Sequence, residues 1–176
     1  MRDDTGSDQD LVPFKGEISP FALKEIFVAD AFADDDPRMW VPMGPNRWSR
    51  PLCLNASQGY WVHLSKFVGA GVVSCHRHPA PVHGFVIKGS WRYLEHDWVA
   101  VAGSYVFEPP GDVHTLVAEP GHPESITLFH NTGALIYCDV EGKTTGYADV
   151  FTRIEACARH YESIGLGADY VKRFIR

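Results

Sequence analysis

His76 and His78, one residue apart in Gly71-Val-Val-Ser-Cys-His-Arg-His, and His114, which follows Pro109-Pro-Gly-Asp-Val, have the residue type and spacing of a metal site. Alternate residues of a strand share a face, so the imidazoles of His76 and His78 should project the same way, as two ligands of one ion must. The Pro-Gly turn ahead of His114 starts a new strand at that histidine, and in a small barrel two neighbouring strands bring all three rings into one lumen. A carboxylate beside three imidazoles suits a divalent iron ion with open coordination positions. If Gly89 forms a hairpin turn, residues 90–97 return beside 82–88 and carry Glu95 or His96 to the level of the ion. Glu95 is the expected fourth ligand.

These residues need strands, and the chain supplies them. From Tyr60 onward, runs rich in Val, Ile, Tyr, Phe and Trp are bounded by Gly, Pro or Asp, which predicts strands near 60–67, 70–78, 84–88, 90–97, 103–108, 113–118, 125–130 and 134–139. Closely spaced strands without intervening helices mark a mostly β protein, an antiparallel barrel or sandwich. Val150, Ile154, Cys157 and Tyr161 recur at helical spacing after Asp149, a suitable N-cap, and a second short helix is expected around Ala168 to Phe174. The prolines and glycines of residues 13–58 predict extended pieces wrapping the barrel, with room for one short helix over Pro20 to Phe27. The expected organisation is an acidic flexible arm over 1–12 and one domain over 13–176, with its barrel at about 60–140 and its helices at about 149–175.

Composition narrows the function. At 176 residues with 45% hydrophobic and 22% charged residues, the chain has ordinary globular usage and the length of one domain. A net charge of −6 disfavours nucleic-acid and membrane surfaces as partners. Cys53, Cys75, Cys138 and Cys157 are widely spaced with no CxxC pair, and the first ten residues are acidic rather than apolar. A cytoplasmic protein with reduced thiols is expected, and the extended pieces before Tyr60 favour a homo-oligomer. Of the nine histidines, His130 is expected behind the site or at the surface, and His63, His122 and His160 at the surface.

The two histidine segments resemble the paired signatures of the cupin superfamily. The first has Gly71 five positions before His76-x-His78 and a closing Gly89, and the second reads Gly103-x5-Pro109-x-Gly111-x2-His114. The glutamate usual in the first signature falls on Val82 here. Beyond the signatures, Trp40-Val-Pro, His78-Pro-Ala-Pro-Val-His83-Gly, Trp91-Arg-Tyr-Leu-Glu95-His96-Asp-Trp98 and Glu108-Pro-Pro-Gly-Asp-Val-His114 are similar to the 2,4'-dihydroxyacetophenone dioxygenase branch, related to the cupin of ChrR-like anti-sigma factors.

The resemblance implies a cupin jelly roll, a double-stranded β-helix, around mononuclear non-haem iron. It also implies cleavage by O2 of a small aromatic hydroxyketone of the 2-hydroxyacetophenone type, 2,4'-dihydroxyacetophenone giving 4-hydroxybenzoate and formate. Trp91 and Tyr93 share a strand face with Glu95 and are expected to line the substrate pocket, with His83 and His96 beside it and Trp61, Trp98, Tyr105 and Phe107 as further candidates for an aromatic slot. Two alternatives stand: a zinc-binding regulatory cupin of the anti-sigma type, and a cupin dioxygenase acting on a diketone. Val82 counts against zinc, since it removes the fourth ligand of a closed site.

Overall fold

The computed structural model of the chain describes residues 12–32 and 36–176, so the acidic arm lies outside the described residues except at Val12. Among these residues, twelve strands form two six-stranded antiparallel sheets. One sheet runs, in spatial order, β1 (Val41–Gly44), β2 (Arg47–Asn55), β3 (Tyr60–Val68), β10 (Glu124–Thr132), β5 (Val82–Lys88) and β8 (Tyr105–Glu108). The other runs β12 (Thr144–Asp149), β11 (Ala134–Cys138), β4 (Gly71–Arg77), β9 (Val113–Ala118), β6 (Ser90–Tyr93) and β7 (Ala100–Val101). From β3 to β6 and from β8 to β11, successive strands alternate between the sheets, which is the winding of a jelly roll.

That alternation changes the reading of Gly89. It does not close a hairpin: β5 pairs with β8 and β10, while β6 crosses to the other sheet and pairs with β7 and β9. Gly89 has φ 71°, and a Cβ there would stand 2.5 Å from the Glu124 carbonyl oxygen, so the crossover demands glycine. Nor does the expected 90–97 strand run its full length, since β6 ends at Tyr93 and a turn follows at Leu94 and Glu95.

Among the described residues, three apolar clusters hold the fold, the smallest built on Trp40, Leu64 and Ile126. Between the sheets, Val82, Val86, Trp91, Tyr93, Leu116 and Phe129 pack together. At one end of the barrel, α1 (Val150–Ser163) and a 3-10 turn over Ala168–Phe174 pack on Val41, Leu54 and Trp61. α1 begins where the sequence predicts: the Asp149 carboxylate accepts from the Thr152 N–H at 2.8 Å and the Thr152 hydroxyl oxygen accepts from the Asp149 N–H at 2.8 Å. Its buried face is Val150, Arg153, Cys157 and Tyr161, so a charged residue shares the apolar stripe.

The region before Tyr60 contributes two full strands, β1 and β2, and Pro51 is tolerated inside β2 beside a register irregularity. No helix forms over Pro20 to Phe27, where Phe21 and Phe27 are exposed and leave no apolar face to stabilise a short helix. β12 has no apolar run and escapes the pattern reading. The spacing in sequence also hides a pair of thiols: Cys75 and Cys138, on neighbouring strands, stand sulfur to sulfur at 3.3 Å. No helix among the described residues is long and apolar enough to cross a membrane.

Candidate metal centre

His76 and His78 leave β4 and the residues just beyond it on one face, and β9 lies alongside with His114 directly opposite His76. The structure brings the three rings together: His114 Nε2 is 3.2 Å from both His76 Nε2 and His78 Nε2. A carboxylate completes the group, and it belongs to Glu108. Its Oε2 lies 2.9 Å from His78 Nε2 and 3.7 Å from His114 Nε2. All four residues are buried, and their candidate ligand atoms lie within 4.8 Å of one another.

The donor set fits one cation. Atoms held about 2.1 Å from an ion stand about 3.0 Å apart at a right angle and about 3.4 Å apart at a tetrahedral angle, close to the 2.9–3.7 Å separations here. The rings are also turned correctly. The Asp112 carboxylate stands 3.4 Å from His114 Nδ1 and takes its N–H, so Nε2 offers a bare lone pair to the centre. The Ser74 hydroxyl lies 3.1 Å from His76 Nδ1 and orients that ring in the same way. Burial, with the neighbouring His114 and His78 rings, pushes the pKa of His76 well below its ordinary value, and burial brings that of His114 down against the opposing pull of Glu108 and Asp112, so both are free bases ready to ligate.

Tyr93 fixes the carboxylate. Its hydroxyl donates to Glu108 Oε1 at 2.6 Å and its ring stacks on His114 with centroids 3.8 Å apart. Burial and the neighbouring Glu108 charge raise the Tyr93 pKa well above its usual value, so the hydroxyl remains a donor.

Glu95 is not part of this group. It sits exposed in the turn after β6, where its Oε2 accepts from the Thr115 backbone N–H at 2.7 Å. Partial burial pushes its pKa up, but the Thr115 hydrogen bonds outweigh this and hold the carboxyl below its ordinary value. The expected route for Glu95 fails because β6 pairs with β9 rather than returning along β5. The replacement follows from register: Val82, where the cupin signature would have its glutamate, pairs with Glu108 on β8. The carboxylate has moved one strand sideways at the same level. The signal available in the sequence was the acid that closes Tyr105-Val-Phe-Glu108 on the face opposite its two aromatics. With Glu108 present, Val82 no longer argues against a four-donor site.

Three of the four donors, His76, His78 and Glu108, line a cavity between the sheets that is partly open to solvent. Of the predicted pocket residues, Tyr93 lines this cavity, as do His76, His78 and Glu108. Trp91 instead lies in the core and donates to the Thr127 hydroxyl at 2.9 Å. His96 stands behind the site, 3.6 Å from Asp112 and stacked on Trp98. His83 lies off the cavity, 2.8 Å from the Tyr105 hydroxyl and stacked on His130. Tyr105 and Phe107, 53% and 51% exposed, face outward.

Phe67, Leu116, Phe129 and Leu135 form the apolar lining instead. His63, expected at the surface, is buried in this cavity with its Nδ1 2.7 Å from the Ser49 hydroxyl.

A family model described as the ChrR Cupin-like domain matches residues 28–136. The chain is similar to the solved structure of an RmlC-like cupin protein from Ralstonia eutropha, with 27% identity, a TM-score of 0.68, and coverage of 70% of this chain and 82% of that one. An acetylacetone dioxygenase from Acinetobacter johnsonii superposes with a TM-score of 0.65 at 19% identity, over 79% of this chain and 98% of that one. No protein with a curated description matches the chain.

Proposed function

The chain belongs to the ChrR Cupin-like domain family, and from that premise we propose that it is a mononuclear non-haem iron dioxygenase. In this reading it cleaves the C–C bond of a small aromatic 2-hydroxyketone. The carrying observation is that His76, His78 and Glu108 line a cavity that opens to solvent, so the donor set is accessible to a substrate. The likeness in fold to an acetylacetone dioxygenase supports the same class of reaction.

An iron ion held by these four residues would supply Lewis-acid polarisation of the ketone and a site for dioxygen chemistry. The chain supplies the rest. His76 and His114 present uncharged nitrogen lone pairs, kept so by burial. Glu108, held by Tyr93, contributes one negative charge that partly offsets the ion. Ser74 and Asp112 hold two rings in place, and Phe67, Leu116 and Phe129 give an aromatic ring an apolar wall that excludes water. The net reaction balances as hydroxymethyl ketone plus O2 giving an aromatic acid plus formate, with both oxygen atoms entering the products.

One observation favours a second reading. Three imidazoles and a carboxylate also satisfy the four-coordinate preference of zinc, as a regulatory cupin of the anti-sigma type would require. Dioxygen uptake by iron-loaded protein, measured with a panel of 2-hydroxyacetophenones and a β-diketone, separates the readings. Uptake matched by acid and formate supports the proposal. Zinc bound in a one-to-one ratio, with no uptake on any ketone, overturns it in favour of the second reading.

A further inference from the structure

Arg153, on the inward stripe of α1, is 7% exposed and lines the same cavity as His76, His78 and Glu108. Its guanidinium lies over the Trp61 ring at 5.6 Å and has the neutral Tyr137 side chain as a hydrogen-bond partner, but its Nε has none, and no acidic group among the described residues forms an ion pair with it. Asn131, 3% exposed, pairs with Trp61 across β3 and β10 and lines the cavity too, and its Nδ2 is likewise without a partner. Arg47 adds a second cation to the lining, with one hydrogen bond, 2.8 Å, to the Met43 carbonyl.

The imbalance is specific. Among the described residues Glu108 is the sole carboxylate lining the cavity, and it is engaged by Tyr93 and His78. The other wall therefore presents two guanidinium groups and an amide N–H with no acceptor of matching charge. Burying a cation without a partner is costly, and a planar guanidinium is best satisfied by two oxygens of one anion. Burial pushes the Arg153 pKa down and the nearby Arg47 charge adds to this, while Tyr137 pushes it up.

We propose that Arg153, with Arg47 and Asn131, forms an oxyanion subsite, and that the substrate carries a carboxylate or phenolate at the end that does not meet the metal ligands. The identity of the reaction rests on the dioxygenase reading above, but the binding of the anion does not. A para-acyl group acidifies a phenol, so a 4-hydroxyphenyl ketone offers phenolate oxygen to this wall and a 4-carboxyphenyl ketone offers carboxylate.

Calorimetric titration of the metal-loaded protein with matched probes tests this. The pairs are 4-acetylbenzoate against its methyl ester, and 4-hydroxyacetophenone against 4-methoxyacetophenone. The charged member of at least one pair should bind about tenfold to a hundredfold tighter, the worth of hydrogen bonds to a charged group, and which pair does so identifies the anion. Arg153→Met should abolish the preference with metal content unchanged, and Arg153→Lys should keep part of it. Asn131→Leu provides the same readout if Arg153→Met does not fold. Equal affinity within both pairs, or a preference that survives Arg153→Met because the anion meets the metal, overturns the subsite. Loss of dioxygen uptake on every ketone with the preference intact sinks the reaction alone, whereas uptake with no preference sinks the subsite alone.

Discussion

On the wall formed by β4, β8 and β9, most polar groups answer one another: Glu108 takes the Tyr93 hydroxyl, Asp112 takes the His114 ring, and Ser74 holds His76, while His78 Nδ1 has no partner. On the wall formed by β2, β10 and α1, Arg153 Nε and Asn131 Nδ2 have no acceptor, and Arg153 meets only the neutral Tyr137 side chain. The contrast is one of charge, with a carboxylate on one wall and two guanidinium groups on the other. The first wall needs a cation to separate four converging donors, and the second needs an anion, so a molecule with electron-rich oxygens at both ends would satisfy the whole cavity at once.

Removing a ligand breaks the first wall most severely. His114→Ala takes away the nitrogen nearest both other rings and should abolish metal binding, measured as metal per chain in the purified protein; full retention would place the ion elsewhere. Next comes the comparison of two glutamates. Glu108→Gln should weaken metal affinity by about a hundredfold or more while Glu95→Gln leaves it unchanged, by competition with a chelator, since the usual cost of disturbing even a supporting residue is about 10-fold to 100-fold. The reverse order would restore Glu95 as the ligand. Tyr93→Phe keeps every ligand and removes the hydrogen bond to Glu108 alone, so affinity should fall by about tenfold, with about 1–3 kcal/mol lost from stability for the buried carboxylate left short of a donor. An unchanged affinity would mean that Glu108 needs no positioning.

The smallest effect belongs between the walls. Burial, with the Arg153 and Arg47 charges, holds His63 uncharged, well below its ordinary pKa of 6.5. When pH falls below that value the unfolded chain binds a proton that the folded chain refuses, so stability declines with acidity. His63→Gln should flatten the fall of Tm between about pH 7 and 5, and an identical slope in the two proteins would show that His63 does not carry this sensitivity.

The two walls also differ in how far the sequence exposes them. His76, His78 and His114 lie in short segments where strand period and a Pro-Gly turn settle direction, so local spacing suffices. Glu108 required knowledge of which strands pair, because its place opposite Val82 is set by β5 against β8. Gly89 looked like a hairpin because a glycine between two strands has the same local signature in a turn and in a crossover. Arg153 was hidden by its own helix: the apolar period of Val150, Cys157 and Tyr161 is legible, but whether the residue between them points at solvent or into a cavity depends on how α1 docks. His63 was hidden likewise, since a lone histidine in a strand gives no sign of what the opposite sheet places over it. The fold class was legible because strand after strand repeats the same pattern and tolerates errors in any one of them, such as the missed β2 and β12.

Anomalous diffraction from crystals of the iron-loaded protein, recorded at the iron edge, bears most directly on the metal wall. A single peak should lie about 2.0–2.2 Å from Nε2 of His76, His78 and His114 and from an oxygen of Glu108. A peak ligated by Glu95, or none among these four donors, would contradict the account.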